Sequence, residues 1–167
     1  MLAQVQHLIE KLGLLPHPEG GFYKEIYRSE VMIPQKVLGE DFTGDRNSCT
    51  SIYFLLTADN FSAFHRIKQD EIWHYYSGSP LFVHVIDRQG NYIRHEVGID
   101  VNKGQTPQLI VPAGCWFASN IKEENSYSLV GCTVSPGFDF DDFELAKKEK
   151  LMNEFPQHSK IITELTR

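Results

Sequence analysis

Apolar residues recur at helical spacing only near the two ends of this chain; between them the pattern shortens into alternating or wholly apolar runs. Leu2, Val5, Leu8, Ile9 and Leu12 mark one face of a helix over residues 2–13, and Gly13 is its natural stop. The next eight residues, LLPHPEGG, carry two prolines and two glycines, which enforce an extended approach and then a turn. Strand-like runs follow at Phe22 to Arg28, Thr50 to Thr57, Leu81 to Asp87, Tyr92 to Val97, Gln108 to Val111, Cys115 to Asn120 and Tyr127 to Val134. Turn signals such as Ser79-Pro80, Arg88-Gln89-Gly90-Asn91 and Pro112-Ala113-Gly114 separate the later runs at short intervals. That rhythm predicts an all-β antiparallel sandwich or barrel rather than alternating β-α units. Residues 30–48 read as a long loop, and Phe143, Leu145, Ala146, Leu151 and Met152 among charges read as a helical tail from Asp141.

One stretch, SAFHRIKQDEIWHYYSG from Ser62 to Gly78, stands apart. His65 closes one predicted strand, Lys68 to Asp70 make a polar turn, and Glu71 opens the next strand. Alternation puts Glu71, Trp73, Tyr75 and Ser77 on one face and Ile72, His74 and Tyr76 on the other. A carboxylate heading a row of aromatics needs a partner, because burying an unpaired charge is costly. His65 is the nearest in sequence. The two either form a buried structural pair or line a ligand pocket.

Composition narrows the classes. With 167 residues and 41% hydrophobic content, the chain 1–167 reads as one soluble domain able to bury a sizeable core. No apolar run approaches the ~20 residues that span a bilayer, and the N-terminus lacks the features of a signal peptide. Three cysteines, Cys49, Cys115 and Cys132, without C-x-x-C spacing favour a reducing cytoplasm. A net charge of −6 disfavours nucleic acid as a partner. Cys115 has no flanking base and reads as structural; Asp139, Asp141 and Asp142 read as a solvated face with a helix start.

The Ser62–Gly78 stretch resembles the first cupin motif, G-x5-H-x-H-x3,4-E-x6-G, with His65, Glu71 and Gly78 in register. VPAGCWF is similar to the core of the second motif, G-x5-P-x-G-x2-H-x3-N, through Pro112 and Gly114. Together with HPEGGFYKEIYRS and LVGCTVSPGFDFDDFEL, these blocks resemble a single-domain cupin family of unassigned function. The resemblance implies a cupin-type jelly-roll β-barrel, usually dimeric, with the N- and C-terminal helices flanking it. It departs from the motifs where their other histidines belong: Ile67 and Phe117 stand there, Ile121 takes the asparagine position, and both leading glycines are missing. A cupin metal centre needs roughly three or four converging N and O ligands. Only His65 and Glu71 remain, so no metal or other cofactor is expected.

The expected function is small-molecule binding in the barrel interior, with His65, Glu71, Trp73, Tyr75, Gln108, Trp116 and Phe117 as ligand-binding candidates. The alternative is a metal-independent isomerase or epimerase for a sugar-nucleotide-like or other small anionic substrate. There His65 is the base, oriented by Glu71, with Tyr75 or Tyr53 as acid and Arg28 or Arg66 holding the anion. A metal-dependent dioxygenase ranks below both. Ile52, Phe54, Ile72, Tyr76 and Phe82, assigned to outer strand faces, predict a homodimer.

Overall fold

The computed structural model describes residues 3–167. Leu2, assigned above to the first helix, lies outside them. In chain order the regular elements are α1 (Ala3–Leu12), β1 (Leu15–Pro16), β2 (Phe22–Arg28), β3 (Met32–Ile33), α2 (Gln35–Leu38), β4 (Arg46–Asn47), β5 (Thr50–Thr57) and β6 (Phe61–Arg66). They continue with β7 (Asp70–Gly78), β8 (Leu81–Ile86), β9 (Tyr92–Val97), β10 (Gln108–Val111), β11 (Trp116–Ile121), β12 (Tyr127–Ser135) and β13 (Glu144–Leu145). Two short helices, α3 (Lys148–Glu154) and α4 (Ser159–Glu164), close the chain. Six strands form one sheet in the order β1-β2-β5-β12-β7-β10, and five form a second in the order β13-β6-β11-β8-β9. All pairings within them are antiparallel, as in a jelly roll. The ladders do not join into a closed barrel, so the predicted all-β fold is a two-sheet sandwich. No helix among the described residues is long and apolar enough to cross a membrane.

The inner faces of both sheets are buried, and helices cover part of their outer faces, so the central strands β5, β8 and β12 read as nearly continuous apolar runs. Between the sheets, Phe54, Leu56, Trp73, Val83, Val85, Phe117 and Val130 pack into the main core. Leu55 points the opposite way, paired in register with Leu129 and covered by Val5, Leu8, Ile9 and Leu12 of α1. Behind the second sheet, Phe64, Ile86, Trp116 and Ala118 meet Leu151, Phe155 and Ile162 of the C-terminal helices. Ile52 and Phe54 were expected on an outer face; they point inward instead, against the core and cavity. Tyr76 and Ile110 do lie exposed on the outer side of the first sheet.

The C-terminal tail departs from its predicted helix. Phe140–Asp142 is a single 3-10 turn and Glu144–Leu145 adds an edge strand to β6, so the first full helical turn starts only at Lys148. Asp139 does cap the turn, accepting from the Asp141 N–H. Asp142, assigned to a solvated face, is buried. The Arg46 guanidinium donates to both its oxygens at 2.7 Å, Gln69 Nε2 donates at 2.6 Å and Lys68 Nζ lies 3.2 Å away. This network ties the aromatic segment 138–143 to the loop before β7.

Candidate functional site

The turn after His65 does not close a hairpin. β6 and β7 belong to different sheets, so residues 67–69 carry the chain across the sandwich rather than back along one ladder. His65 and Glu71 therefore line the same interior from opposite walls, and among the described residues they form no hydrogen bond or ion pair. The expected His65–Glu71 pairing is replaced by another: His65 Nε2 lies 3.0 Å from Glu19 Oε2. Glu19 comes from the HPEGG segment, whose tight turn is closed by the His17 N–H donating to the Gly21 carbonyl and the Gly20 N–H to that of His17. The Ala63 N–H donates to the Glu19 carbonyl at 2.8 Å and fastens this turn to β6. At Gly20, φ is +115° and an added Cβ would sit 2.1 Å from the Phe61 carbonyl, so only glycine permits the approach.

A β-bulge completes the arrangement. β6 pairs Phe117 with His65 but Ser119 with Ser62, an extra residue on the β6 side. Strict alternation would send Ser62 and His65 to opposite faces; the bulge turns both toward Glu19. Ser62 Oγ donates to Glu19 Oε1 at 2.8 Å. His65 Nδ1 donates to the Ala63 carbonyl at 2.8 Å, which leaves the lone pair of a neutral ring on Nε2, facing Glu19.

These groups open onto a cavity of about 430 Å³. Its polar wall includes His17, Glu19, Arg28, His65, Glu71 and Asp139, and its apolar wall Ile52, Phe54, Ile67 and Val134. Phe138, Phe140 and Phe143 roof it with rings 5.0–6.4 Å apart, and Phe140 stacks on His17 at 6.3 Å. Burial sets the protonation state. It pushes the Glu19 carboxyl up and the His65 and His17 imidazoles down from their ordinary values. Both directions favour a neutral Glu19–His65 pair sharing one proton between Oε2 and Nε2. Glu71 is raised to about 7, chiefly by burial, against the opposing effect of His65; the Cys132 thiol donates its hydrogen bond.

Of the seven binding candidates, His65 and Glu71 line the cavity. Trp73 and Phe117 are fully buried core, the Phe117 ring lying 4.0 Å from that of His65. Trp116 packs behind the second sheet with Arg66 over its face. Tyr75, shifted by a register irregularity in β7, donates its hydroxyl to the Gly78 carbonyl away from the cavity; Gln108 is exposed and bonds His74. Tyr53 packs in the α1 layer, so neither tyrosine considered as an acid reaches His65. Arg66 is paired with Glu144. His17, Glu19, Tyr23, Cys132 and the three roof phenylalanines were not among the candidates. The HPEGG run held a signal for the first two: a histidine and a glutamate held in a turn shaped by two prolines and two glycines.

The metal centre implied by the cupin motifs does not fit these residues. Ile67 lines the cavity where a second imidazole is required, Phe117 fills the place of a third, and the remaining His65 lone pair faces Glu19. Among the described residues no group of three or more histidines, cysteines or carboxylates is arranged to hold an ion.

Residues 6–146 match the family described as cupin superfamily (DUF985). A hypothetical protein from Leishmania major superposes with a TM-score of 0.88 at 39% identity, covering 96% of this chain and 97% of its own. Protein SO0799 from Shewanella oneidensis gives 0.86 at 41% identity, covering 97% and 96%. An uncharacterized Saccharomyces cerevisiae protein, YML079W, is 32% identical over 157 residues, 88% of this chain and 77% of that protein. Oxalate decarboxylase from Bacillus subtilis shares the fold alone, at a TM-score of 0.54 and 15% identity, over 90% of this chain and 36% of the decarboxylase.

Proposed function

Since the chain belongs to the cupin superfamily, in its DUF985 family, we propose that it holds a small molecule between its two sheets and moves a proton on it without a metal. The observation that carries this reading is the buried Glu19–His65 pair opening onto a roofed cavity of about 430 Å³. A cavity of that size suits a compact metabolite, and apolar walls with a few convergent polar groups are what such sites share. The pair releases or takes up one proton at Glu19 Oε2 and His65 Nε2. Glu71, raised to about 7 on the opposite wall, is partly protonated near neutrality and supplies the complementary step. An acid and a base facing each other across one substrate are the elements of an isomerase or epimerase, with Glu19 as base once its proton has passed to His65 Nε2, and Glu71, rather than Tyr75, as acid. Simple binding uses the same cavity without the proton steps.

Native mass spectrometry of the freshly purified full chain tests the binding reading. It should show a small-molecule adduct that denaturation releases. A chain without any adduct, and unstabilised by every member of a metabolite library, would overturn it. The homodimer is part of the same proposal. It is supported by Tyr76 on β7 and Ile110 on β10, both exposed on the outer side of the first sheet. Sedimentation of a monomer at all concentrations would remove it.

A further inference from the structure

We infer that the cavity takes a cation, an ammonium or amidinium carried on a flat apolar ring; this rests on the cavity being a ligand site, and it names the ligand's class. The wall carries four carboxyl groups, Glu19, Glu25, Glu71 and Asp139, against one guanidinium, Arg28. That guanidinium is already committed. Its Nε and Nη2 donate to Glu25 at 2.9 and 2.7 Å, and its Nη1 donates to Asn47 at 2.8 Å. Both terminal nitrogens also reach the Phe138 carbonyl at 3.2 Å. The other cations of this region are spent outside the wall, Arg46 and Lys68 on Asp142 and Arg66 on Glu144. An anion entering here would leave water to meet carboxylates and no free positive charge, the reverse of the anionic substrate expected for an isomerase of the sugar-nucleotide kind.

A cation meets the opposite conditions. Glu71 is more than nine-tenths buried, lines the cavity, and accepts from no nitrogen or hydroxyl donor among the described residues; the Cys132 thiol is its hydrogen-bond partner. Its carboxylate therefore keeps lone pairs that an N–H⁺ donor can fill. The same cavity wall carries the rings of Phe54, Phe138, Phe140, Phe143 and Tyr23. Their π faces attract a desolvated cation, and their edges and faces stack a planar ring. Glu19 adds no competing charge demand, because its proton is shared with His65 across 3.0 Å.

Three ring compounds of nearly equal shape and different charge decide the matter: benzylammonium, benzyl alcohol and benzoate. Each is titrated into the full chain at neutral pH, with affinity from calorimetry and the binding place from amide NMR shifts at Ile67, Glu71 and Val134. Benzylammonium should bind at least about tenfold more tightly than benzoate, with benzyl alcohol between them. Glu71→Gln, which keeps the shape and removes the charge, should weaken benzylammonium about tenfold and leave benzyl alcohol within about twofold. Glu71→Asp, which restores the charge, should recover part of the loss. If benzoate binds as well as benzylammonium, or Glu71→Gln leaves their ratio unchanged, the inference falls while the cavity remains a ligand site. If none of the three shifts the cavity amides, the ligand-site reading falls and takes this inference with it.

Discussion

Glu71→Gln is expected to stabilise the protein at alkaline pH and to leave it unchanged in acid. The carboxyl titrates near its usual 4.5 when the chain is unfolded and at about 7 in the fold, mainly because burial disfavours the charge. A raised folded value means that folding takes up a proton between those limits. The stabilising contribution is complete below pH 4.5 and is lost as the pH rises through about 7. The gap of about 2.5 units, at 1.36 kcal/mol each, amounts to about 3 kcal/mol at pH 8. An amide of the same shape never carries the charge and escapes that cost. For a chain of this size 1 kcal/mol moves the melting temperature by roughly 2–4 °C. The variant should therefore melt about 6–12 °C above the wild type at pH 8 and level with it at pH 4. Thermal melts of both proteins from pH 4 to pH 9 give the difference directly, and titrations common to the two cancel. Coupling to His65 and Glu19 spreads the transition over more than one unit of pH. A melting difference that is the same at pH 4 and pH 8, or a variant less stable than the wild type at pH 8, would refute the placement of Glu71 as an inward, desolvated acid.

Three other outcomes follow from the same geometry. Glu19→Ala orphans Ser62 and His65, both buried, and should cost about 2–6 kcal/mol at ~1–3 per group. Glu19→Gln, able to donate to Nε2 and accept from Ser62, should cost under ~1 in urea unfolding; a large loss for both variants would show that the pair is ionic rather than neutral. Asp142→Ala strands a buried guanidinium at Arg46 and should cost about 3–5 kcal/mol, measured the same way; an effect near zero would mean that the network does not fasten the roof. Chelator should leave the melting curve in place and purified protein should carry far less than one metal per chain, because too few donors converge to retain an ion. A drop in melting temperature on adding chelator would reveal ligands among His17, Glu19, His65 and Glu71.

The sequence by itself determined the fold. Its strands are short and antiparallel, so their identity rests on local alternation and on turn residues within a few positions, and β2, β5, β9 and β10 begin and end where the pattern placed them. It also located His65 and Glu71, whose polarity among apolar neighbours marks a cost that only a partner or a ligand offsets. Which partner it is, only the tertiary structure decided. Glu19 lies 46 residues from His65 in the chain, and no local pattern reports that a glycine turn and a β6 bulge bring them together. The bulge in particular defeats the period of two: Ser62 and His65 share a face because one residue is left unpaired. The division of β6 and β7 between two sheets was equally invisible, since a polar turn between two strands reads the same whether it closes a hairpin or crosses a sandwich. The aromatic roof followed suit. Phe138, Phe140 and Phe143 carry no helical or strand period, and they meet only because buried Asp142, held by Arg46 and Gln69, draws that segment over the cavity.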